Sequence, residues 1–99
     1  MTNIALVDDE ESILTSVSLS LESEGFSVDT FINGEEALIA LKSKSYDLGL
    51  FDIKMPKMDG NELLSKVRAS KDIKLKELPI IFLTSKDHEQ DEIIGYLGF

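Results

Sequence analysis

Four short apolar runs, each separated from the next by a stretch of helical periodicity, limit the folds open to this chain of 99 residues. The runs are IALV at 4–7, FSVDTF at 26–31, LGLF at 48–51 and IIFL at 80–83. Each has the length of a strand, and the stretches between them repeat apolar residues three and four positions apart. This alternation predicts an α/β domain with a parallel sheet.

The stretches between the runs also carry signals for helix ends. The first stretch should form one apolar helical face from Ile13, Leu14, Val17 and Leu21. Gly25 is placed to end that helix. Asn33, followed three residues later by Glu36, resembles a capping box, and Asp59 can cap a third helix. A last helix is expected from about Asp87, after which the sequence stops.

The pattern within each run predicts the order of the strands. Three runs are continuously apolar, whereas the second alternates between apolar and polar residues and should lie at an edge. Right-handed crossovers then favour the order 2-1-3-4 of a flavodoxin-like, doubly wound sheet. The fourth run becomes the opposite edge, where it is too apolar to stay uncovered. Gly49 is unexpected inside a strand and indicates close packing against another element.

Composition narrows the classes of function. The chain has no cysteine, which excludes disulfides and thiolate metal sites, and its net charge of −9 opposes direct nucleic-acid binding. No secretory signal and no apolar run of membrane-spanning length is visible, so we expect a cytoplasmic protein without membrane contact. The lysines at 71, 74 and 76 are expected to keep a connecting loop soluble.

Acidic residues follow two strands that should be neighbours. Asp8 and Asp9 come directly after the first run, and Asp52 follows the third. The carboxyl ends of parallel strands share one edge, and ligands bind where the strand order reverses. Carboxylates gathered there repel one another unless a cation lies among them, and an all-oxygen site suits Mg²⁺. The alternative is that Asp9 or Glu10 caps the first helix.

A carboxylate beside Mg²⁺ can also act as a nucleophile toward phosphorus. We therefore expect Asp52 to receive a phosphoryl group, and the loop after it to supply the backbone carbonyl of Lys54 to the metal. Thr84, after the fourth strand, could donate a hydrogen bond to that group, and the small Ser85 would leave space for it.

Three segments together resemble the receiver domain of two-component response regulators. They are IALVDDEESI, LFDIKMPKMDGNELLSKVR and PIIFLTSKD, and the resemblance extends over essentially all of residues 1–99 as one CheY-like domain. The wording of DIKMPKMDG and IIFLTSKD is most similar to regulators of the OmpR type, and within them to ChvI-like transcriptional regulators.

The resemblance implies roles for individual residues. Asp52 matches the phosphoacceptor, Asp9 a direct Mg²⁺ ligand, Asp8 an acid acting mainly through water, Lys54 the carbonyl ligand and Thr84 the switch hydroxyl. Receivers take the phosphoryl group from a sensor histidine kinase and control an effector, here one expected to be transcriptional. Such a domain catalyses only its own phosphorylation and dephosphorylation, so it is not an enzyme acting on other substrates.

One departure from the family leaves two alternatives open. Family members continue into a fifth strand and a fifth helix, and the lysine that pairs with the phosphoryl group has no counterpart before Phe99. The sequence is therefore interpreted as a receiver lacking its C-terminal part, with an effector domain beyond Phe99 in the parent protein, for which a DNA-binding domain is one option. Alternatively, it is a non-phosphorylated module for protein binding or for dimerisation through the fourth strand.

The sequence lacks the motifs of two other classes of protein that use aspartates to bind a metal ion. A haloacid dehalogenase phosphatase needs a second aspartate two residues after the first, where this chain has Lys54. A calcium loop of the EF-hand type fails because Pro56 and lysines occupy positions that require oxygen ligands.

Overall fold

The computed structural model describes residues 1–83 and contains a parallel sheet with helices on both faces. Strands are β1 Asn3–Val7, β2 Ser27–Phe31, β3 Leu48–Asp52 and β4 Ile80–Leu83; helices are α1 Glu11–Ser23, α2 Gly34–Ser43, α3 Gly60–Arg68 and α4 Ile73–Lys76. Thr84, Ser85 and the last helix expected from the sequence lie outside the described residues. Within residues 1–83, no helix is both long enough and apolar enough to cross a membrane.

The sheet has the predicted strand order, β2-β1-β3-β4, with all neighbours parallel. The alternating strand β2 lies at one edge, as its pattern indicated, and the apolar β4 lies at the other. In the central pair, Val7 is opposite Phe51. That register brings the carboxyl ends of β1 and β3 to the same level, which later determines the site.

The predicted helix ends are confirmed by local hydrogen bonds. Helix α1 ends at Ser23, and Gly25 follows with a φ of 96°, a left-handed conformation that glycine adopts without cost. The Asn33 side chain accepts from the Glu36 backbone N–H at 2.8 Å. Asp59 accepts from the N–H of Glu62 at 2.8 Å, which starts α3.

The core forms two apolar layers, one on each face of the sheet. Helix α1 covers one layer, built from Ile4, Leu6, Leu14, Leu50 and Leu83. Helices α2, α3 and α4 cover the larger layer, which includes Val7, Phe51, Leu63, Val67, Ile80 and Phe82. Ile80 and Phe82 of β4 are buried on this second face, while the expected cover for the free edge of β4 stays a prediction.

Gly49 makes room for an aromatic ring of its own strand. A Cβ atom at position 49 would lie 2.8 Å from Cε1 of Phe51, which is fully buried. The ring therefore folds back over the glycine on the same face of β3. The packing is close, but its nearest partner lies within β3 and not in another element as expected; from β4, Cγ1 of Ile80 would lie at an ordinary contact distance of 3.5 Å.

The lysine-rich segment after α3 differs from the loop expected there. Residues Ile73–Lys76 form the short helix α4, which the Asp72 side chain begins by accepting from the Lys74 backbone N–H at 3.0 Å. Arg68 ties this helix to α3, because its guanidinium donates to the carbonyls of Lys76 and Leu78 at 2.9 and 2.8 Å. Leu75, which lies between two of these lysines, is buried in the core. A helix of four residues is too short for its apolar periodicity to be recognised in the sequence.

A polar network fastens the edge strand β2 to the segment before β3. One carboxylate oxygen of Asp29 accepts from Lys44 Nζ and from the Tyr46 hydroxyl, both at 2.7 Å. The buried Tyr46 ring also packs edge-on against Phe31. The hydrogen bonds from Lys44 and then Tyr46 lower the pKa of Asp29, while burial and the bond to Asp29 raise that of Tyr46.

Asp29→Asn should lower the free energy of unfolding by about 1 kcal/mol at pH 7, because a partly exposed charged hydrogen bond has about that net value. The folded-state pKa of Asp29 is lowered from 3.8, so its contribution is present above that pH and is lost as the pH falls through the folded-state value. Urea unfolding at pH 7, 5 and 3 measures this difference.

Asp47→Asn is the matched control, since it removes one aspartate charge outside the network and keeps an oxygen acceptor for the Asn3 N–H. A difference between Asp29→Asn and the wild type that stayed the same at all three pH values would contradict the role given to the Asp29 charge.

Candidate metal-binding site

Three aspartates lie at the carboxyl edge of the central strand pair. Asp8 and Asp9 directly follow β1, and Asp52 is the last residue of β3. Val7 is opposite Phe51 in the register of β1 and β3. Asp8 and Asp52 therefore each come one residue beyond that pair, on adjacent strands. The expectation that these residues share one crevice is confirmed.

The carboxylates are close together and largely hidden from solvent. One oxygen from each of Asp8, Asp9 and Asp52 lies within 4.8 Å of the other two. Asp8 and Asp52 are each only 2% exposed, and Asp9 is half-buried. Such crowding of acidic groups in a poorly solvated place is unfavourable unless cations or hydrogen-bond donors balance it.

Backbone N–H groups hold the two buried carboxylates in place. The N–H of Glu10 donates to Oδ1 of Asp8 at 2.9 Å, and the N–H of Lys54 donates to Oδ1 of Asp52 at 3.3 Å. The N–H of Asp8 itself donates to the carbonyl of Phe31 at 3.1 Å, which extends the pairing of β1 with β2. Each carboxylate is therefore oriented by the turn that follows its strand.

Glu10 does not cap helix α1 through its side chain. Glu10 occupies the N-cap position, but its side chain makes no capping hydrogen bond with the helix. Asp8 binds the N–H of Glu10, which lies before the first helical residue. The alternative that Glu10 serves as the side-chain cap of the helix is therefore wrong, and the corresponding role for Asp9 stays a prediction.

The loop from Ile53 to Asp59 is fixed at both ends. The Ile53 N–H donates to the Leu83 carbonyl of β4 at 3.2 Å. The Ile53 carbonyl accepts from the Gly60 N–H, at the other end of the loop, at 2.9 Å. Between them, the Met58 N–H donates to the Pro56 carbonyl at 2.8 Å and closes a tight turn around Lys57. Lys57 has a φ of 68°, a left-handed conformation that costs a non-glycine residue about 1 kcal/mol.

Apolar packing completes the attachment of this loop. The side chains of Met55 and Met58 are buried in the larger core layer. A Cβ at Gly34, the first residue of α2, would lie 2.9 Å from Sδ of Met58. The loop that carries Lys54 is thus seated against the start of α2 as well as against the sheet.

The sequence predicted the three aspartates of this site but missed the residues that position them. Lys54 lies in the loop directly after Asp52, as expected, and its carbonyl stays a predicted ligand, while Thr84 and Ser85 fall outside the described part of the chain. Gly34, Met58 and Gly60 were not recognised. The only signal for the glycines was their position at the first residue of a helix, and Met58 resembled any core methionine.

The donor set fits a hard divalent cation. It consists of carboxylate oxygens, two of them on rigid strand ends, with an adjacent loop that offers backbone carbonyls. Mg²⁺ prefers such oxygen ligands, keeps several waters and is commonly held by one or two carboxylates together with a phosphate. The small number of carboxylates and the space left for other oxygens favour this ion over a fully protein-enclosed Ca²⁺ site.

Comparison with known proteins matches this arrangement to one family. The model of the response regulator receiver domain matches residues 4–96. The chain is 41% identical over 92 residues to the alkaline phosphatase synthesis transcriptional regulatory protein PhoP of Bacillus subtilis, covering 93% of this chain and 37% of PhoP. A CpxR homolog of Haemophilus influenzae is 39% identical over 95 residues, covering 96% and 39%. The chain spans about two fifths of the length of these relatives.

Solved structures agree with the sequence relatives. The response regulator TrrA of Thermotoga maritima, in complex with Mg²⁺ and BeF, has a TM-score of 0.79 at 39% identity, covering 93% of this chain and 76% of TrrA. TrrA in complex with the histidine kinase ThkA has a TM-score of 0.78, with the same identity and coverage.

Gly60→Ala should displace the loop after Asp52. The new Cβ would collide with the backbone carbonyl oxygen of Asp52 and lie 3.0 Å from Cα of Ile53, neither of which can rotate away. We expect a loss of about 1–3 kcal/mol in the free energy of unfolding, the usual cost of overpacking. Urea unfolding measures the loss, and the amide NMR shifts of Lys54 and Asp52 report the displacement.

Asn61→Ala, one position further along α3 on its exposed side, is the control and should leave stability and both shifts nearly unchanged. Equal effects of the two substitutions would show that the close approach at Gly60 does not hold the loop.

Proposed function

This chain belongs to the family of response regulator receiver domains, and from that premise we propose that Asp52 is the residue that accepts the phosphoryl group. The observation that carries the proposal is the burial of the Asp52 carboxylate at the end of β3, within 4.8 Å of the oxygens of Asp8 and Asp9. Three acids on two adjacent strand ends are suited to hold a cation beside a nucleophilic oxygen.

In this proposal Mg²⁺ is held by Asp9, Asp52 and the backbone carbonyl of Lys54, with Asp8 acting mainly through water. The bound ion would reduce the negative charge that accumulates between the carboxylates and the incoming phosphate. The complex of the related TrrA with Mg²⁺ and BeF supports this assignment. The N–H of Glu10 keeps Asp8 turned toward the crevice, and the N–H of Lys54 does the same for Asp52.

The chemistry is an in-line displacement at phosphorus. A carboxylate oxygen of Asp52 forms a bond to the phosphorus atom, and the bond from phosphorus to the donor breaks. With a phosphohistidine donor, the electron pair of the broken P–N bond stays on the imidazole nitrogen, so the products are an acyl phosphate on Asp52 and a histidine. Burial of Asp52 keeps bulk water from competing as nucleophile.

Two further residues enter the proposal from the sequence alone. Thr84 would donate its hydroxyl hydrogen to a phosphoryl oxygen on Asp52, and Ser85 would leave room for that group. Leu83, opposite Asp52 in the register of β3 and β4, directly precedes Thr84 in the chain, which supports a position near the site.

The proposed partners follow from the same premise. The complex of TrrA with the histidine kinase ThkA supports a sensor kinase as phosphoryl donor, and the transcriptional relatives support control of an effector that acts on transcription. In this role, residues 1–99 belong to a receiver domain that works in the cytoplasm and turns over no substrate other than its own phosphoryl group. The narrower resemblance to ChvI-like regulators stays a prediction, as does pairing of two copies.

Mg²⁺ should stabilise the chain through the three aspartates. Asp9→Asn removes one of the crowded negative charges, so it should raise the free energy of unfolding without metal by about 1 kcal/mol. The same substitution should abolish the increase in melting temperature that Mg²⁺ produces in the wild type. Thermal unfolding with EDTA and with millimolar Mg²⁺ measures both effects.

Glu22→Gln removes one exposed acidic charge at the far end of α1 and should keep the full response to Mg²⁺. A response lost equally in both variants would mean that Mg²⁺ acts only through the overall charge of the protein.

A small phosphodonor such as acetyl phosphate should label the chain on Asp52 when Mg²⁺ is present. The reason is that Asp52 is buried, is oriented by the Lys54 N–H and lies beside the proposed metal ligands, at the position that matches the phosphoacceptor of receiver domains. Intact-mass measurement should find one phosphoryl adduct in the wild type and in Asp47→Asn, and none in Asp52→Asn.

The outcomes separate the two functions left open by the sequence. An adduct that persists in Asp52→Asn would contradict the assignment of the phosphoacceptor. No adduct on a folded chain that responds to Mg²⁺ would leave a receiver that binds partners without being phosphorylated. An adduct of equal yield without Mg²⁺ would contradict the role of the metal.

A further inference from the structure

The loop after Asp52 packs against helix α2, which carries none of the three aspartates. The helix begins at the buried residue Gly34, and the side chain of Met58 lies against that residue. A Cβ atom at Gly34 would lie 2.9, 3.0 and 3.1 Å from Sδ, Cγ and Cβ of Met58. Carbon atoms in ordinary contact are about 3.5–4.0 Å apart. Any side chain at position 34 would therefore have to displace Met58.

Rotation of the methionine side chain alone cannot relieve this contact. Methionine has three rotatable bonds, so Sδ and Cγ of Met58 could turn away from a new Cβ atom. The Cβ atom of Met58 is bonded to the backbone, and it moves only when the backbone moves. To restore an ordinary separation there, the backbones at Gly34 and Met58 must move apart by about 0.4 Å.

Helix α2 resists this movement more than the loop does. Asn33 caps its start by accepting from the Glu36 backbone N–H at 2.8 Å. Ala37, one turn further along, is fully buried in the larger core layer, so the helix can move only together with the core. In the loop, by contrast, three of the four residues from Lys54 to Lys57 are exposed. The displacement should therefore fall mainly on the loop.

A short, constrained link connects Met58 to the carbonyl that is predicted to bind the metal. The Met58 N–H donates to the Pro56 carbonyl at 2.8 Å and closes a three-residue turn, in which Lys57 is left-handed. The ring of Pro56 fixes its φ. A turn with so little conformational freedom absorbs a displacement poorly, so movement of Met58 should reach Lys54.

We propose that Gly34 is a positioning residue for Mg²⁺: by admitting Met58 to the start of α2, it keeps the Lys54 carbonyl where it can serve as a ligand. This inference rests on the proposed Mg²⁺ site. Mg²⁺ requires near-octahedral geometry, with oxygen ligands at about 2.0–2.1 Å, so it tolerates a displaced ligand poorly. Groups that only orient a ligand commonly change metal affinity by about 10–100-fold when they are replaced.

Titration with Mg²⁺ alone, followed by amide NMR shifts of the ¹⁵N-labelled chain, tests the proposal. Gly34→Ala should raise the dissociation constant of Mg²⁺ at least about threefold, near the lower end of the effects of orienting groups because the displacement is small. It should also shift the Lys54 amide before any metal is added.

Gly25→Ala is the matched control for a general loss of stability. It adds the same Cβ atom at a φ of 96°, where a side chain is strained, yet that atom meets no other atom within 4 Å among residues 1–83. Gly25 also lies at the amino end of the sheet, before β2. This variant should be less stable than the wild type and should bind Mg²⁺ equally well.

Substitution of Met58 tests the route of the effect. Met58→Gly removes all three atoms that the new Cβ atom would meet. In that background, Gly34→Ala should leave the dissociation constant of Mg²⁺ nearly unchanged. If Met58→Gly does not fold, Met58→Ala removes the two nearer atoms and should still reduce the effect of Gly34→Ala.

Four results would overturn the inference. Equal dissociation constants in Gly34→Ala and the wild type would exclude the positioning role and leave the metal site intact. Equal weakening by Gly25→Ala would reduce the effect to stability. An undiminished effect in the Met58 variant would exclude the contact as the route. A wild type without saturable shifts at Asp9 and Lys54 would remove the proposed metal site, and the positioning role with it.

Discussion

The parallel pairing of β1 with β3 is the constraint on which the rest of this structure depends. It brings two strands that are far apart in sequence to the centre of the sheet, with Val7 opposite Phe51. The same register places Asp8 beside Asp52 and gives each face of the sheet a continuous apolar surface for helices. A slip of one residue would move the side chains of the slipped strand to the opposite face of the sheet and would disrupt both the site and the core.

Burying the negatively charged carboxylates of this site is unfavourable, and hydrogen bonds from the surrounding backbone reduce that cost. The aspartates lie where solvent is scarce, and N–H groups of Glu10 and Lys54 orient two of them. In the loop after Asp52, the left-handed backbone of Lys57 is energetically unfavourable for a non-glycine residue. Gly60 approaches the Asp52 carbonyl so closely that no side chain fits there. Unfavourable features that gather in one place are typical of functional sites, which retain them because the rest of the fold supplies enough stability.

The two ends of the sheet differ in chemistry although the same strands connect them. The carboxyl edge gathers acids, whereas the amino end of β3 carries lysines around a small cavity. This separation follows from the sequence, in which bases begin only at Lys42. A receiver with a net charge of −9 can therefore still concentrate its basic residues in the second half of residues 1–83.

By itself, the sequence determined the strand order, the helix ends at Gly25, Asn33 and Asp59, and the meeting of the three aspartates. These depend on local periodicity and on the rule that parallel strands end at one edge, both of which are visible in one dimension. Tertiary structure alone decided the folding of the Phe51 ring over Gly49, the seat of Met58 on Gly34, the short helix α4 and the cavity with its lysine rim. The physical reason is that these features arise from contacts between side chains of different elements, whose distances no local pattern encodes.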